Sequence, residues 1–233
     1  MKNQASAAKQ AVVIGGSLGG LFAGLLLRSI RWDVDIYERL PRDLDSRGGG
    51  IVLQPEVLEA FRRAGVHYDT SIGVEAKERV FLDRGGGLAR RLSMRQMLTS
   101  WTSLYGAMRR RFPAEHYQSA ELTAFEQTAG LLVAAGGGGS FVRGRLMPEV
   151  RADYAGYVAW RGLVDEPELT DEAPALLRDR FSFFEYPNSH MLAYLVPGEH
   201  EATEPGKRRY NWVWYRNAAE HHLTEWHCQV EAL

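Results

Sequence analysis

The sequence predicts an α/β fold, in which a parallel βαβ domain is followed by a smaller domain built on a mostly antiparallel β-sheet. Three observations predict it. A glycine-rich turn follows a short apolar run near the N-terminus, apolar positions then recur at helical spacing, and aromatic-rich strand patterns fill the second half. With 233 residues, 45% of them hydrophobic, the chain is long enough to bury a core.

The first elements form the βαβ unit. An apolar run over residues 11–14 stops at Gly15, which is typical of a buried parallel strand. Apolar side chains recur at helical spacing from Leu18 to Ser29, and a second short strand follows and ends at Glu38. Strand, glycine turn, helix and strand within about 30 residues indicate two parallel strands joined by a crossover helix.

Two further helices and an antiparallel sheet follow. Pro55 to Ala64 is predicted as a helix because Pro55 suits its first turn and Gly65 its end. Gln96 to Arg110 is also predicted as a helix, from apolar residues spaced by four, three and four. In the second half, aromatic-rich runs separated by turn residues predict four antiparallel strands, over residues 154–161, 181–186, 191–196 and 210–216.

This change of pattern places a domain boundary near residue 150. Residues 1–150 form the parallel domain, although part of residues 66–95 is expected to join the sheet domain. Residues 151–220 form the sheet domain, and residues 221–233 are an atypical tail. The glycine cluster at 85–87 is predicted to be a hairpin loop.

Charge and cysteine content limit the classes of partner. Twenty-eight basic against 29 acidic residues argue against a nucleic-acid or membrane-surface binder. The single cysteine, Cys228, excludes an internal disulfide and is typical of a cytoplasmic protein. The uncharged run from Gln10 to Leu27 imitates a membrane span, but its five glycines argue against one. His221, His222, His227 and Cys228 match no standard zinc spacing, so no metal site is predicted.

The motif that carries chemistry is Gly15-Gly16-Ser17-Leu18-Gly19-Gly20, directly after the first strand. It matches the G-x-G-x-x-G fingerprint with Ser17 at the second glycine. A tight turn at Gly15 and a close helix–strand approach at Gly20 aim the helix N-terminus at a pyrophosphate. Glu38, 23 residues after Gly15, would bind a ribose hydroxyl. The spacing leaves FAD and NAD open, and Arg39 keeps NADP open.

This N-terminal run and several later segments resemble the single-component FAD-dependent aromatic hydroxylases, in particular their dihydroxypyridine monooxygenase branch. The resemblance extends, in order, over roughly residues 10–220. The later segments are residues 35–39 (DIYER), 48–55 (GGGIVLQP), 100–105 (SWTSLY), 154–162 (YAGYVAWRG) and 197–198 (PG).

The resemblance implies an FAD-binding domain over residues 1–150 and a substrate-binding domain over 151–220. The Gly15–Gly20 turn would hold the flavin nucleotide, with Glu38 and Arg39 at the adenosine ribose. The Gly48–Gly50 loop and Gln54 would lie toward the isoalloxazine. The implied cofactor-binding residues are Gly15, Ser17, Leu18, Gly20, Glu38, Arg39, Gly50, Gln54 and Arg109, the last toward the pyrophosphate.

The resemblance also implies the reaction. NAD(P)H would reduce the flavin, and O₂ would then hydroxylate a small hydroxylated aromatic or N-heterocycle. His190, Trp214 and Tyr215 are candidates for the substrate pocket, and packing within the sheet is the alternative role of each. We expect the enzyme to be cytoplasmic, and a homodimer is the oligomeric state that we consider for it.

Three departures from the family limit this prediction. Gly136 stands where the family has an aspartate, the stretch from Leu122 to Leu131 is short, and the family's C-terminal Gly-Asp motif is absent after Arg216. A truncated relative with an incomplete flavin site is therefore expected. Two alternatives stay open: a non-catalytic protein that binds FAD or another dinucleotide, and an NAD-dependent dehydrogenase that binds NAD without flavin.

Overall fold

The computed structural model describes residues 9–40, 49–122, 130–170, 173 and 177–223. The chain divides into two compact units. The first unit contains residues 1–47, 54–69 and 102–151, and the second contains residues 48–53, 70–101 and 152–233. The second unit therefore draws two segments from the N-terminal half of the chain. Gly48, the short stretch at 123–129, His227 and Cys228 lie outside the described residues.

The helices and strands follow one another as in a mixed α/β protein. In chain order they are β1 Lys9–Ile14, α1 Leu18–Ser29, β2 Trp32–Glu38, β3 Gly50–Val52, α2 Pro55–Ala64, β4 Val74–Leu82, β5 Leu88–Ser100, α3 Trp101–Arg111, β6 Tyr117–Ser119, β7 Leu131–Ala134, α4 Phe141–Leu146, β8 Tyr157–Asp165, β9 Arg180–Tyr186, β10 Ser189–Val196 and β11 Arg209–Asn217. Among the described residues, no helix is both long and apolar enough to cross a membrane.

The first unit is built on a parallel sheet with the strand order β6-β2-β1-β7. Val13 on β1 pairs with Ile36 on β2, and both side chains are fully buried. Leu21 and Leu25 on α1 are also buried, so the apolar stripe of the helix belongs to this core. This arrangement confirms the predicted βαβ unit.

The second unit is a seven-stranded sheet with the order β3-β5-β4-β9-β10-β11-β8. Its neighbouring strands are antiparallel except for the parallel pair β4 and β9. One cluster of its core consists of Ala76, Leu98, Phe181, Tyr194 and Val196. A mostly antiparallel second sheet was predicted, and this prediction is confirmed.

The predicted helix from Gln96 to Arg110 is wrong over its first five residues. Residues 96–100 complete strand β5, and the helix begins at Trp101. Leu98 pairs with Val52 on one side and with Val74 on the other, so this segment is hydrogen-bonded within the sheet. Pairing on both sides outweighs the local helical spacing of the apolar side chains.

The glycine cluster at 85–87 forms the predicted hairpin loop between β4 and β5. The Asp83 amide donates to the Gly87 carbonyl over 2.8 Å, and the Gly86 amide donates to the Asp83 carbonyl over 3.1 Å. Gly86 has φ +79°, a left-handed conformation that favours glycine. This cluster therefore has a structural role.

Candidate functional site

The first candidate site lies at the carboxyl end of the parallel sheet in the first unit. From β1 the chain crosses to β2 on one side, whereas β7 lies on the other side of β1. In open α/β sheets, ligands bind outside the carboxyl ends of the strands at such a change of direction. Gly15 follows β1 and Ala135 follows β7, so the glycine turn and the loop after β7 flank this position.

At two positions of the glycine turn, neighbouring backbone atoms leave no room for a side chain. Gly15 has φ +108°, and a Cβ there would overlap the carbonyl oxygen of Ala135. A Cβ on Gly20 would overlap the carbonyl oxygen of Gly15. Glycine at position 15 therefore lets the turn pack against the residue after β7, and glycine at position 20 lets α1 pack against the turn, as the fingerprint predicts.

The N-terminus of α1 begins directly after this turn. Ser17 is the residue before the helix, and its carbonyl accepts the first helical hydrogen bond from Leu21 N over 2.9 Å. Its side chain makes no capping hydrogen bond to the helix. The amides of Leu18, Gly19 and Gly20 precede that first bond, so helix geometry leaves them for an anion.

Glu38 ends β2 and is buried beside the turn. Its Oε2 accepts a hydrogen bond from Gly16 N over 2.7 Å, and its Oε1 accepts one from Leu40 N over 3.1 Å. An ionised carboxylate has about four acceptor positions, so about two are left for ribose hydroxyls. The structure thus places Glu38 against the glycine turn, and its contact with a ribose stays a prediction.

The loop from Gly136 to Gly139 follows β7. The Arg143 guanidinium donates to the carbonyls of Gly137, over 3.2 Å, and Gly138. The Arg39 side chain is exposed, and its Nη2 would lie 3.9 Å from a Cβ placed on Gly139. At Gly136, where the family aspartate is missing, a Cβ would lie 3.3 Å from Ser140 Cα. An aspartate there would therefore need only a small shift of the loop.

Arg109 lies near the C-terminal end of α3. Its Cζ is 4.1 Å from the ring centroid of Tyr117, the first residue of β6. Tyr117 was not identified from the sequence, and its hydroxyl donates to the Gly16 carbonyl over 3.1 Å. The signal that could have revealed it is Gly16 itself, a glycine at a position that the fingerprint leaves free.

The predicted isoalloxazine-side residues fall in different units. Gln54 precedes α2 in the first unit and is exposed. Gly50 opens β3 in the second unit, where its amide donates to Asn211 Oδ1 over 2.7 Å. A Cβ on Gly50 would overlap the Tyr194 ring. Burial raises the pKa of the Tyr194 hydroxyl above its usual range.

Asn211 and Tyr194 were not identified from the sequence. The sequence feature that could have identified Asn211 is its position: it is a polar residue on the face of the 210–216 strand opposite the tryptophans. The contact between Gly50 and Asn211 joins residues 161 positions apart, and no local pattern contains it.

Replacing Asn211 by Ala should lower the free energy of unfolding by about 1–3 kcal/mol, because the partly buried Gly50 amide loses its acceptor. Asn211 is fully buried. Urea denaturation of both proteins measures the change. Asn217→Ala is the matched control, because its amide makes only an exposed contact with Asn188 Oδ1 at 3.3 Å. Equal losses in the two variants would contradict this role of Asn211.

The three substrate-pocket candidates lie on β10 and β11 of the second unit. His190 pairs with Tyr215 across the two strands, so both side chains lie on one face of the sheet. Trp214 pairs with Met191 and lies on the opposite face. The structure therefore brings His190 and Tyr215 together and separates Trp214 from them. Their roles toward a substrate stay predictions.

The face that holds His190 is aromatic. The His190 ring centroid lies 5.7 Å from that of Phe183 and 6.2 Å from that of Tyr215. Glu185 Oε1 lies 3.8 Å from His190 Nδ1. On the other face, Trp214 Nε1 donates to Ser189 Oγ over 2.6 Å. The His190 ring is tilted by 57° to the Phe183 ring and by 47° to the Tyr215 ring, so this group of rings can contact a planar aromatic ligand by face or by edge.

A parallel sheet with a glycine turn and a buried glutamate, together with a mostly antiparallel second sheet, is the fold of the FAD-dependent aromatic hydroxylases. Residues 154–228 match the family described as FAD binding domain-like. The chain is 35% identical over 225 residues to 2,6-dihydroxypyridine 3-monooxygenase of Paenarthrobacter nicotinovorans, over 89% of this chain and 55% of that protein. The resemblance is confirmed, and the chain is a homologue of these hydroxylases.

A second relative and one solved structure agree with this assignment. Aurachin C monooxygenase/isomerase of Stigmatella aurantiaca is 28% identical over 185 residues, which cover 67% of this chain and 48% of that protein. The structure of 2,6-dihydroxypyridine-3-hydroxylase from Arthrobacter nicotinovorans matches with a TM-score of 0.82 and 34% identity, over 92% of this chain and 57% of that chain.

Klebsiella pneumoniae HpxO, solved with FAD and uric acid, matches in fold with a TM-score of 0.70 at 22% identity. That match covers 88% of this chain and 56% of HpxO. The chain thus spans about half the length of the curated relatives it matches, 55% and 48% of them.

Proposed function

We propose that this chain binds FAD and takes part in the hydroxylation of a small hydroxylated aromatic or N-heterocycle by NAD(P)H and O₂. The observation that carries the proposal is the turn from Gly15 to Gly20 at the carboxyl end of the parallel sheet, with Glu38 buried beside it. The 35% identity to 2,6-dihydroxypyridine 3-monooxygenase supports the reaction class. A cytoplasmic homodimer is part of the same proposal.

The first unit suits the adenosine diphosphate half of FAD. Glycine at positions 15 and 20 lets the turn pack against Ala135 and lets α1 pack against the turn, and Gly19 has no atom within 4 Å of where its Cβ would be, so a pyrophosphate can approach the backbone there. The first-turn amides of α1 and the helix dipole stabilise its negative charge. Glu38 offers acceptors for the ribose hydroxyls, Arg39 is proposed to lie at the same ribose, and Arg109 is the proposed positive charge for the phosphates.

The aromatic face of the second unit suits the substrate. His190 and Tyr215 are the proposed substrate-facing side chains, and Phe183 supplies a further ring beside His190. Stacking on these rings would orient a planar substrate and exclude water from it. Trp214, on the opposite face, would act only by supporting the strand. The flavin, when bound, supplies the transfer of reducing equivalents from NAD(P)H and the activation of O₂.

The experiment is a turnover assay with the chain, FAD, NADH or NADPH, and 2,6-dihydroxypyridine under isotopically labelled O₂. The expected result is consumption of the reduced nicotinamide that requires both FAD and substrate. Mass spectrometry should then find one labelled oxygen atom in the product. Nicotinamide oxidation that is independent of the aromatic substrate, without labelled product, would contradict the hydroxylase proposal.

A second candidate function is FAD binding without turnover. The observation that favours it is Gly136, because the loop after β7 holds no carboxylate at that position. The same assay distinguishes the two, since this candidate predicts saturable FAD binding with no labelled product. Binding of NAD without any binding of flavin would instead support a dehydrogenase.

A further inference from the structure

Both backbone polar groups of Gly16 are held by side chains. Its amide donates to Glu38 Oε2 over 2.7 Å, and its carbonyl accepts from Tyr117 Oη over 3.1 Å. A Cβ on Gly16 would overlap the Tyr117 hydroxyl. The dinucleotide fingerprint sets no requirement at this position, so it is Tyr117 that makes glycine necessary there.

Tyr117 is fixed in its place by the rest of the first unit. It opens β6, pairs with Ile36 of β2 and is 9% exposed. Its hydroxyl lies 3.4 Å from that of Tyr105 on α3. Burial raises the pKa of the Tyr117 hydroxyl far above its usual range, with the Tyr105 hydroxyl acting in the same direction. The phenol therefore stays protonated and donates to Gly16.

The ring of Tyr117 also holds a positive charge. The Arg109 guanidinium lies over it, with Cζ 4.1 Å from the ring centroid. A cation above an aromatic face is attracted by the negative charge of the π-system. Tyr117 therefore contacts the Arg109 guanidinium through its ring and the Gly16 carbonyl of the glycine turn through its hydroxyl.

We propose that Tyr117 is a positioning residue for the nucleotide pyrophosphate, which it serves by orienting the Gly16 peptide and by holding the Arg109 guanidinium beside the glycine turn. This role rests on the proposed binding of FAD. A turn that is already fixed loses less conformational freedom when the ligand binds, so its amides bind phosphate more tightly. A fixed guanidinium adds charge where the phosphates would lie.

Two substitutions separate the two parts of this role. Tyr117→Phe keeps the ring under Arg109 and removes the hydroxyl that donates to Gly16. Tyr117→Leu removes both. Tyr154→Phe is the matched control, because the Tyr154 hydroxyl also donates to a backbone carbonyl, that of Ala218 over 2.9 Å, but does so in the second unit.

The experiment measures the affinities of FAD, ADP and adenosine for these variants and the wild type. The expected result is FAD and ADP affinity lower by about three- to tenfold in Tyr117→Phe and by about ten- to a hundredfold in Tyr117→Leu. Adenosine, which carries no phosphate, should keep its affinity within about twofold. Tyr154→Phe should match the wild type for all three ligands.

Three outcomes would overturn the proposal. Unchanged FAD and ADP affinities in both Tyr117 variants would show that Tyr117 does not position the phosphate site. An equal loss of adenosine affinity would show a purely structural role. A wild type that binds neither FAD nor ADP would overturn the proposed function itself, and with it the role of Tyr117 toward a nucleotide.

A stability measurement tests the contact without any ligand. Gly16→Ala should lower the melting temperature of the wild type, because the added methyl group overlaps the Tyr117 hydroxyl. In a Tyr117→Leu background, the same substitution should lower the melting temperature by less than half as much. An equal decrease in melting temperature in both backgrounds would show that Tyr117 does not fix the backbone at Gly16, which would overturn the proposal.

Discussion

Replacing Glu38 by Ala should weaken FAD binding by about tenfold to a hundredfold. The substitution removes the acceptor for Gly16 N at 2.7 Å and the proposed acceptor for the ribose hydroxyls. Each hydrogen bond to a charged group contributes about 1.5–3 kcal/mol, and about 1.4 kcal/mol corresponds to a tenfold change in affinity. Titration of the flavin fluorescence with protein measures the change.

Two variants make this test specific. Glu38→Gln keeps an oxygen that can accept from Gly16 N but loses the charge, so its affinity should lie between those of the wild type and Glu38→Ala. Glu59→Ala removes an exposed carboxylate on α2 that pairs with Arg62 and Arg63. It should leave FAD affinity unchanged. If Glu38→Ala binds FAD as the wild type does, the assignment of this carboxylate to the ribose is wrong.

Replacing Arg208 by Ala should lower the free energy of unfolding by about 3–5 kcal/mol, the largest stability effect that we expect. Its Nη2 lies 2.6 Å from Glu166 Oε1 and its Nε 2.9 Å from Oε2, and both residues are buried. Gly206 N also donates to Glu166 Oε2 over 2.7 Å. Removing one partner leaves the carboxylate buried without its counter-charge, which costs more than the pair contributes.

The neighbouring residue supplies the control for Arg208. Arg209 pairs with Asp165 over 2.6 Å and with Glu199 over 2.9 Å, but these acceptors are exposed. Exposed ion pairs contribute about 0–1 kcal/mol, so Arg209→Ala should have little effect on chemical denaturation. A loss in Arg208→Ala no larger than that in Arg209→Ala would contradict the account of the buried pair.

The stability of this pair should also depend on pH. Hydrogen bonding to Arg208 lowers the pKa of Glu166 below the usual carboxyl value of 4.5. The ionised pair therefore stabilises the protein fully above pH 4.5, and this contribution is lost as the pH falls through the lowered pKa. The difference in unfolding free energy between the wild type and Glu166→Gln should narrow below that pH. A constant difference would contradict the assignment.

The glycine turn and its flanking elements could be predicted from the sequence because their information is local. The spacing of glycines and apolar residues between Gly15 and Glu38 specifies strand, turn, helix and strand within one segment. The strand conformation of residues 96–100 could not be predicted from their own pattern, since it depends on pairing with β3 and β4, which lie outside this segment.

The same limit explains which site residues were missed. The Tyr117 hydroxyl contacts Gly16, which lies 101 positions earlier in the chain. This contact is possible only because Gly16 has no Cβ. The faces of β10 and β11 were partly predictable, because strand alternation separates Trp214 from Tyr215. The strand pairing that brings His190 beside Tyr215 became known only from the sheet register.

The most direct test of the central claim is a titration of the purified chain with FAD, followed by displacement with ADP and with NAD. We expect saturable binding of one FAD per chain, displacement by ADP through the shared pyrophosphate and ribose contacts, and a clearly weaker affinity in Glu38→Ala. Absence of saturable FAD binding, or tight binding of NAD with none of FAD, would contradict that claim.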